Sequence, residues 1–81
     1  MNQMLVNEIK IFNNSMIPLK DYSFLVKELR QKTDNYINLK ILQLNKMLYE
    51  KEISKEEFNQ LAVITEYERQ KYNNLIDRKK F

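Results

Sequence analysis

The chain has no cysteine, histidine, glycine or tryptophan, and its one proline is Pro18. Each absence closes off a class of chemistry. Without cysteine there is no disulfide framework, no thiol nucleophile and no Cys-based zinc site, which fits a reducing compartment. Without histidine the commonest general base and metal ligand is missing, leaving carboxylates, lysine and tyrosine. Without glycine, phosphate-cradling loops and glycine hairpin turns are unavailable. No run of about 18 apolar residues occurs, and the first fourteen residues lack the basic start and apolar stretch of a signal peptide. The composition therefore predicts a cytoplasmic chain with no membrane association, no cofactor, no metal and no enzymatic activity.

What is present is a single domain of 81 residues, short enough to bury only roughly 60–65% of its unfolded surface. Lysine, asparagine and isoleucine are abundant and alanine occurs once, at Ala62, the residue usage of an AT-rich genome. The net charge of +3 is not spread along the chain. Residues 1–77 hold eleven basic and eleven acidic side chains, and Arg78, Lys79 and Lys80 supply the excess. A short basic end after a helix complements the helix dipole or aids solubility more readily than it reads DNA.

Residues 1–17 read as an N-terminal arm. In Glu8-Ile9-Lys10-Ile11-Phe12, apolar and charged residues alternate as on a half-buried strand, and Asn13-Asn14-Ser15 is turn chemistry. Leu5, Ile9 and Phe12 have helical spacing, which keeps a first helix as the alternative. Pro18 suits a first helical turn, with Asp21 or Ser23 as the other candidate cap. Tyr22, Leu25, Val26 and Leu29 then place one stripe on a helix over 18–33, and Thr33-Asp34-Asn35 offers side chains that can interrupt and recap it, although without glycine the helix could run through. A second helix over 35–51 carries Ile37, Ile41, Leu44 and Leu48, with Leu39, Leu42 and Met47 widening the seam. Ser54-Lys55-Glu56-Glu57 is a capping box, flanked by Ile53 and Phe58 as a hydrophobic staple, and opens a third helix over 54–78. Its inner stripe is Phe58, Leu61, Ala62, Thr65, Tyr72 and Ile76. The fold expected is a small all-α, three-helix domain whose core is an antiparallel hairpin over about 36–77, with an extended arm or strand before it.

The run Leu44-Asn45-Lys46-Met47-Leu48-Tyr49-Glu50-Lys51-Glu52-Ile53-Ser54-Lys55-Glu56-Glu57-Phe58 resembles the SHOCT and SHOCT-like helical hairpins, where an apolar helix end leads through a short link to a capped "I-S/T-x-E-E-F/Y" start. Tyr67-Glu68-Arg69-Gln70-Lys71-Tyr72 is similar to the continuation seen in SHOCT-like short proteins of Gram-positive mobile elements. The likeness covers about 36–76, and the link departs from it, with Glu50-Lys51-Glu52 where the family commonly has glycine or another small residue. The resemblance implies a phage, plasmid or transposon origin and a role in protein association, and carries over no catalytic residue.

Three surfaces could carry function. Glu50, Glu52, Glu56 and Glu57 sit on a turn and a first helical turn, where carboxylates complement the helix dipole more readily than they form an acid/base pair. Val63, Ile64 and Tyr67, with Leu75 on the same side, lie off the inner stripe of the third helix and form a candidate protein interface. Lys40, Lys46, Arg78, Lys79 and Lys80 are candidate nucleic-acid contacts, although the helix starts lack the basic face of a recognition helix. The expected function is a small protein-binding module that modulates or inhibits a host or mobile-element protein, an anti-CRISPR being the sharpest version. A nucleic-acid accessory factor and a structural homodimer are the alternatives.

Overall fold

Asn2 opens the first helix, its side-chain oxygen accepting from the N–H groups of Met4 at 3.0 Å and Leu5 at 3.3 Å, which satisfies two of the four donors a helix start leaves unpaired. A computed structural model describes residues 2–78, and among these the chain is all α-helical: α1 Gln3–Asn14, α2 Leu19–Tyr49 and α3 Lys55–Asp77. The segment expected as an extended arm is therefore a helix. The alternation of Ile9 and Ile11 was a coincidence of period, since Ile9 is buried while Ile11 is 65% exposed. The three-and-four spacing of Leu5, Ile9 and Phe12 decides the conformation because it places all three in the core. The helix ends at Ser15, whose backbone is extended and whose hydroxyl donates to the Ile11 carbonyl at 2.6 Å.

A second correction concerns Thr33-Asp34-Asn35, expected to separate two helices but lying inside one helix of 31 residues. Thr33 is fully buried, and its hydroxyl donates to the Leu29 carbonyl one turn back at 2.9 Å. That local bond satisfies the hydroxyl without opening the backbone. Asp34 faces Arg69 of α3 at 3.7 Å, so it serves the interface between helices and does not recap the chain. With neither glycine nor proline after Pro18 to stop it, α2 runs about 46 Å at 1.5 Å per residue, and the molecule measures 49 × 17 × 16 Å.

The turn into α3 must be made without glycine. Lys51 takes the left-handed conformation, at φ 61°. Its N–H bonds to the Leu48 carbonyl at 3.1 Å, and the Glu52 N–H bonds to Met47 at 2.9 Å. This is the paired closure of a Schellman motif, normally built on glycine because a Cβ is crowded there. The capping box then starts α3 as expected. Ser54 accepts from the Glu57 N–H at 3.1 Å, and the Glu57 carboxylate accepts from the Ser54 N–H at 3.2 Å.

Packing is uneven along the long axis. α2 and α3 form the antiparallel hairpin, and α1 lies across only its open end. There Leu5, Ile9, Phe12, Leu29, Ile37, Tyr72 and Ile76 form one buried cluster. Between residues 41 and 64 no side chain is fully buried, and Ile41, Leu44, Met47, Leu48, Ile53, Phe58 and Ala62 make a half-buried seam between two helices. The hairpin thus has a packed proximal end and a distal arm with no third layer.

The strained turn yields the first prediction. Lys51→Gly should raise stability to urea by about 1 kcal/mol, because the cost of a left-handed non-glycine residue exceeds the extra unfolded-state freedom of glycine. An unchanged or lowered denaturation midpoint would contradict it.

Candidate protein-binding surface

Two flanks of the α2–α3 seam are sewn by polar side chains, and this decides which residues remain for other work. On one flank, Arg30 bonds Asn73 at 3.2 Å and pairs with Asp77. Further along, Arg69 bonds Asn38 at 2.9 Å. On the other flank a connected network crosses all three helices. The Asn2 backbone N–H donates to the Tyr72 hydroxyl at 2.6 Å, Tyr72 reaches Glu68 at 3.4 Å, and Lys40 donates to Glu68 at 2.9 Å. Tyr36 meets the Tyr72 ring edge-on at 5.9 Å, with the Lys40 ammonium 5.0 Å from the Tyr36 centroid.

The network sets the protonation of its members. The hydrogen bond to Glu68, assisted by Tyr36, holds the Lys40 ammonium well above the ordinary lysine range. Burial pushes the Tyr72 hydroxyl from 10.0 up to about 12, with Glu68 adding to the rise and the Asn2 N–H opposing it. Lys40 is therefore committed to the fold. Lys46 is exposed near the end of α2, Arg78 is exposed at the cap of α3, and Lys79 and Lys80 lie outside the described residues. The described members of the candidate nucleic-acid set do not converge on one face, since Lys46 lies at the hairpin tip and Arg78 at the open end.

The acidic residues of the link are likewise spoken for in part, Glu57 by the capping box. Among the described residues no group of three or more histidine, cysteine, aspartate or glutamate side chains is placed to hold a metal ion. No helix is long and apolar enough to cross a membrane.

The apolar candidates separate into two kinds. Val63, Ile64 and Tyr67 are 69%, 62% and 62% exposed, together on the outer face of α3. Leu75 is half-buried against the core, and its carbonyl accepts from the Asn13 amide at 2.9 Å, so it belongs to the proximal packing. The outer face of α2 carries Leu39 and Leu42, which widen the apolar stripe beyond the face that meets α3. Leu39 and Leu42 are 56% and 64% exposed, and Tyr49 joins them one helical face along. The four, three and four steps of Ile37, Ile41, Leu44 and Leu48 already fill the inner stripe, which was the signal that Leu39 and Leu42 must face outward. Both outer faces lie on the arm that α1 does not reach.

The chain matches no family model, no curated protein and no solved structure.

The buried phenol gives a pH prediction. Below pH 10 the phenol is neutral in both folded and unfolded chains and its contribution is complete. From pH 10 to about 12 the unfolded tyrosine ionises first, so stability falls, by about 2–3 kcal/mol in all. Tyr72→Phe should lack this alkaline component while losing about 1 kcal/mol at neutral pH from the missing hydroxyl bonds. Parallel denaturation curves of the two proteins from pH 8 to 12 measure the difference, and parallel declines would contradict the assignment. At neutral pH, Lys40→Ala removes the Lys40 ammonium from Glu68, whose side chain is 13% exposed. The expected cost is about 1–3 kcal/mol by urea denaturation.

Proposed function

We propose that the protein is a non-enzymatic binding module whose distal hairpin arm docks on another protein and modulates it. One observation carries this reading: apolar side chains stand exposed on both outer faces of an arm that α1 leaves uncovered. Contiguous exposed apolar surface of this kind costs solubility unless a partner covers it. Tyrosine, leucine and isoleucine beside lysine and glutamate match a contact surface with an apolar centre and a polar rim. The residue usage of the chain and the likeness of its hairpin to SHOCT-like proteins extend the reading to a mobile-element product that inhibits a host protein, an anti-CRISPR being one form of it.

The competing nucleic-acid role is separated from this one by a single set of captures. Tagged protein crosslinked in the cells that encode it should retain a protein partner after nuclease treatment, and also after removal of residues 78–81. Leu42→Lys should weaken that capture at least tenfold, since a charge forced into an apolar contact costs more than about 1.4 kcal/mol. Capture that disappears with nuclease, falls steeply with salt and depends on residues 78–81 would replace the proposal with the nucleic-acid role.

A further inference from the structure

The outer face of α3 carries an acid at one end, a base at the other and an apolar centre between them, a charge arrangement complementary to its own reverse. Glu56, Gln60, Val63, Ile64, Tyr67 and Lys71 are spaced by four, three, one, three and four residues. On a helix of 3.6 residues per turn these positions fall within a sector about 100° wide, opposite the stripe of Thr65, Tyr72 and Ile76 that faces α2. The spacing reads the same in both directions. Reversing the helix about the Val63–Ile64 peptide exchanges Glu56 with Lys71, Gln60 with Tyr67, and Val63 with Ile64. A two-fold antiparallel contact makes residue i meet j and j meet i whatever the sequence, so what this face itself contributes is an acid at one end, a base at the other and an apolar centre between them.

Resting on the reading of the distal arm as a binding surface, we propose that α3 pairs antiparallel with α3 of a second copy, centred on Val63 and Ile64. Each Glu56 then faces the Lys71 of the other chain, and each Gln60 amide faces a Tyr67 ring and hydroxyl. The β-branched centre meets its own kind at the two-fold axis, where the helices approach most closely. The charges are complementary at both ends of the contact, and both ends are equivalent.

The monomer leaves these groups in place for the task. The Lys71 ammonium stands 5.1 Å from the centroid of the Tyr67 ring, on the same face as the apolar centre. Glu56 and Lys71 form no ion pair among the described residues. The contact spans about four turns, or about 24 Å. The outer face of α2, reversed about its apolar centre, lacks this charge pairing. Reversal about Leu42 sets Lys46 against Asn38 and Tyr49 against Asn35, with no acid opposite the base. The pairing of α3 therefore leaves Leu39, Leu42 and Tyr49 open on each copy, and the dimer presents that face twice to the partner it modulates.

Analytical ultracentrifugation of the full chain tests the pairing. The wild type should sediment at twice the 10.0 kDa chain mass. Ile64→Lys should be monomeric at concentrations where the wild type is dimeric, and Leu42→Lys should remain dimeric. Glu56→Lys and Lys71→Glu should each weaken dimerisation about tenfold, because each places two like-charged contacts in the interface. The double variant carrying both should recover to within about threefold of the wild type. All four side chains are exposed, so unchanged helical circular dichroism serves as the folding control. A monomeric wild type, a dimer that survives Ile64→Lys, or a double variant no better than the singles would overturn the pairing. Partner capture through Leu42 is scored separately, so a monomer that still captures its partner sinks only the pairing. A dimer that captures none supports the pairing and sinks the modulator role.

Discussion

Tyr72 is the point at which the three helices become one structure. Its ring is fully buried, its edge meets Tyr36 of α2, and its hydroxyl is reached by the first backbone N–H before α1. A helix of 12 residues such as α1 is marginal in water by itself. It persists here because Leu5, Ile9 and Phe12 fill the space beside Tyr72 and Ile76. The same phenol leads on to Glu68 and Lys40, which tie α3 to α2 one and two turns further along the hairpin. Remove the hydroxyl and the Asn2 N–H, the start of α1 and the orientation of Glu68 all lose their common partner.

From that fixed end the two long helices extend without a third layer. Among the described residues no third helix packs over residues 41–64, and α2 is long because nothing in its sequence ends it. A half-buried seam of leucine, isoleucine and methionine holds the arm together, while Leu39, Leu42, Val63, Ile64 and Tyr67 face outward. Regions with few fully buried contacts open locally at lower free energy than the core. The arm is consequently the part of the described chain with the fewest fully buried side chains.

The hairpin was legible in the sequence because its signals were redundant. The capping box, the residues flanking it and the stepped apolar stripes of residues 36–51 and 54–78 all pointed to the same pair of helices. The outward face of Val63, Ile64 and Tyr67 followed from the same periodicity. Two segments misled for opposite reasons. In α1 two periods overlap, since Glu8 to Phe12 alternates by chance while Leu5, Ile9 and Phe12 step by turns, and only tertiary burial against Tyr72 separates them. In α2 the residues Thr33-Asp34-Asn35 have the chemistry of a break, but the break needs the backbone to exchange a helical bond for a side-chain bond. Thr33 instead bonds back to Leu29 inside the core, and Asp34 finds Arg69 across the seam. The Thr33 bond is local but is compatible with a continuous helix, while the Arg69 partner of Asp34 lies far along the sequence and no local pattern announces it.

The missing glycine links these observations. A chain with no glycine has one inexpensive means fewer of turning, so it turns seldom, and each turn carries strain or a capping side chain. Lys51 bears the strain at the hairpin tip, and Ser54 with Glu57 repays it by starting α3 at a defined residue. A defined start fixes the rotation of the helix about its axis, and with it the bearing of every later side chain. The placement of Glu56, Ile64 and Lys71 on one outward sector thus depends on a cap that sits against the tip of the arm. A looser, glycine-built link would have left the bearing of the arm's outer face less sharply specified.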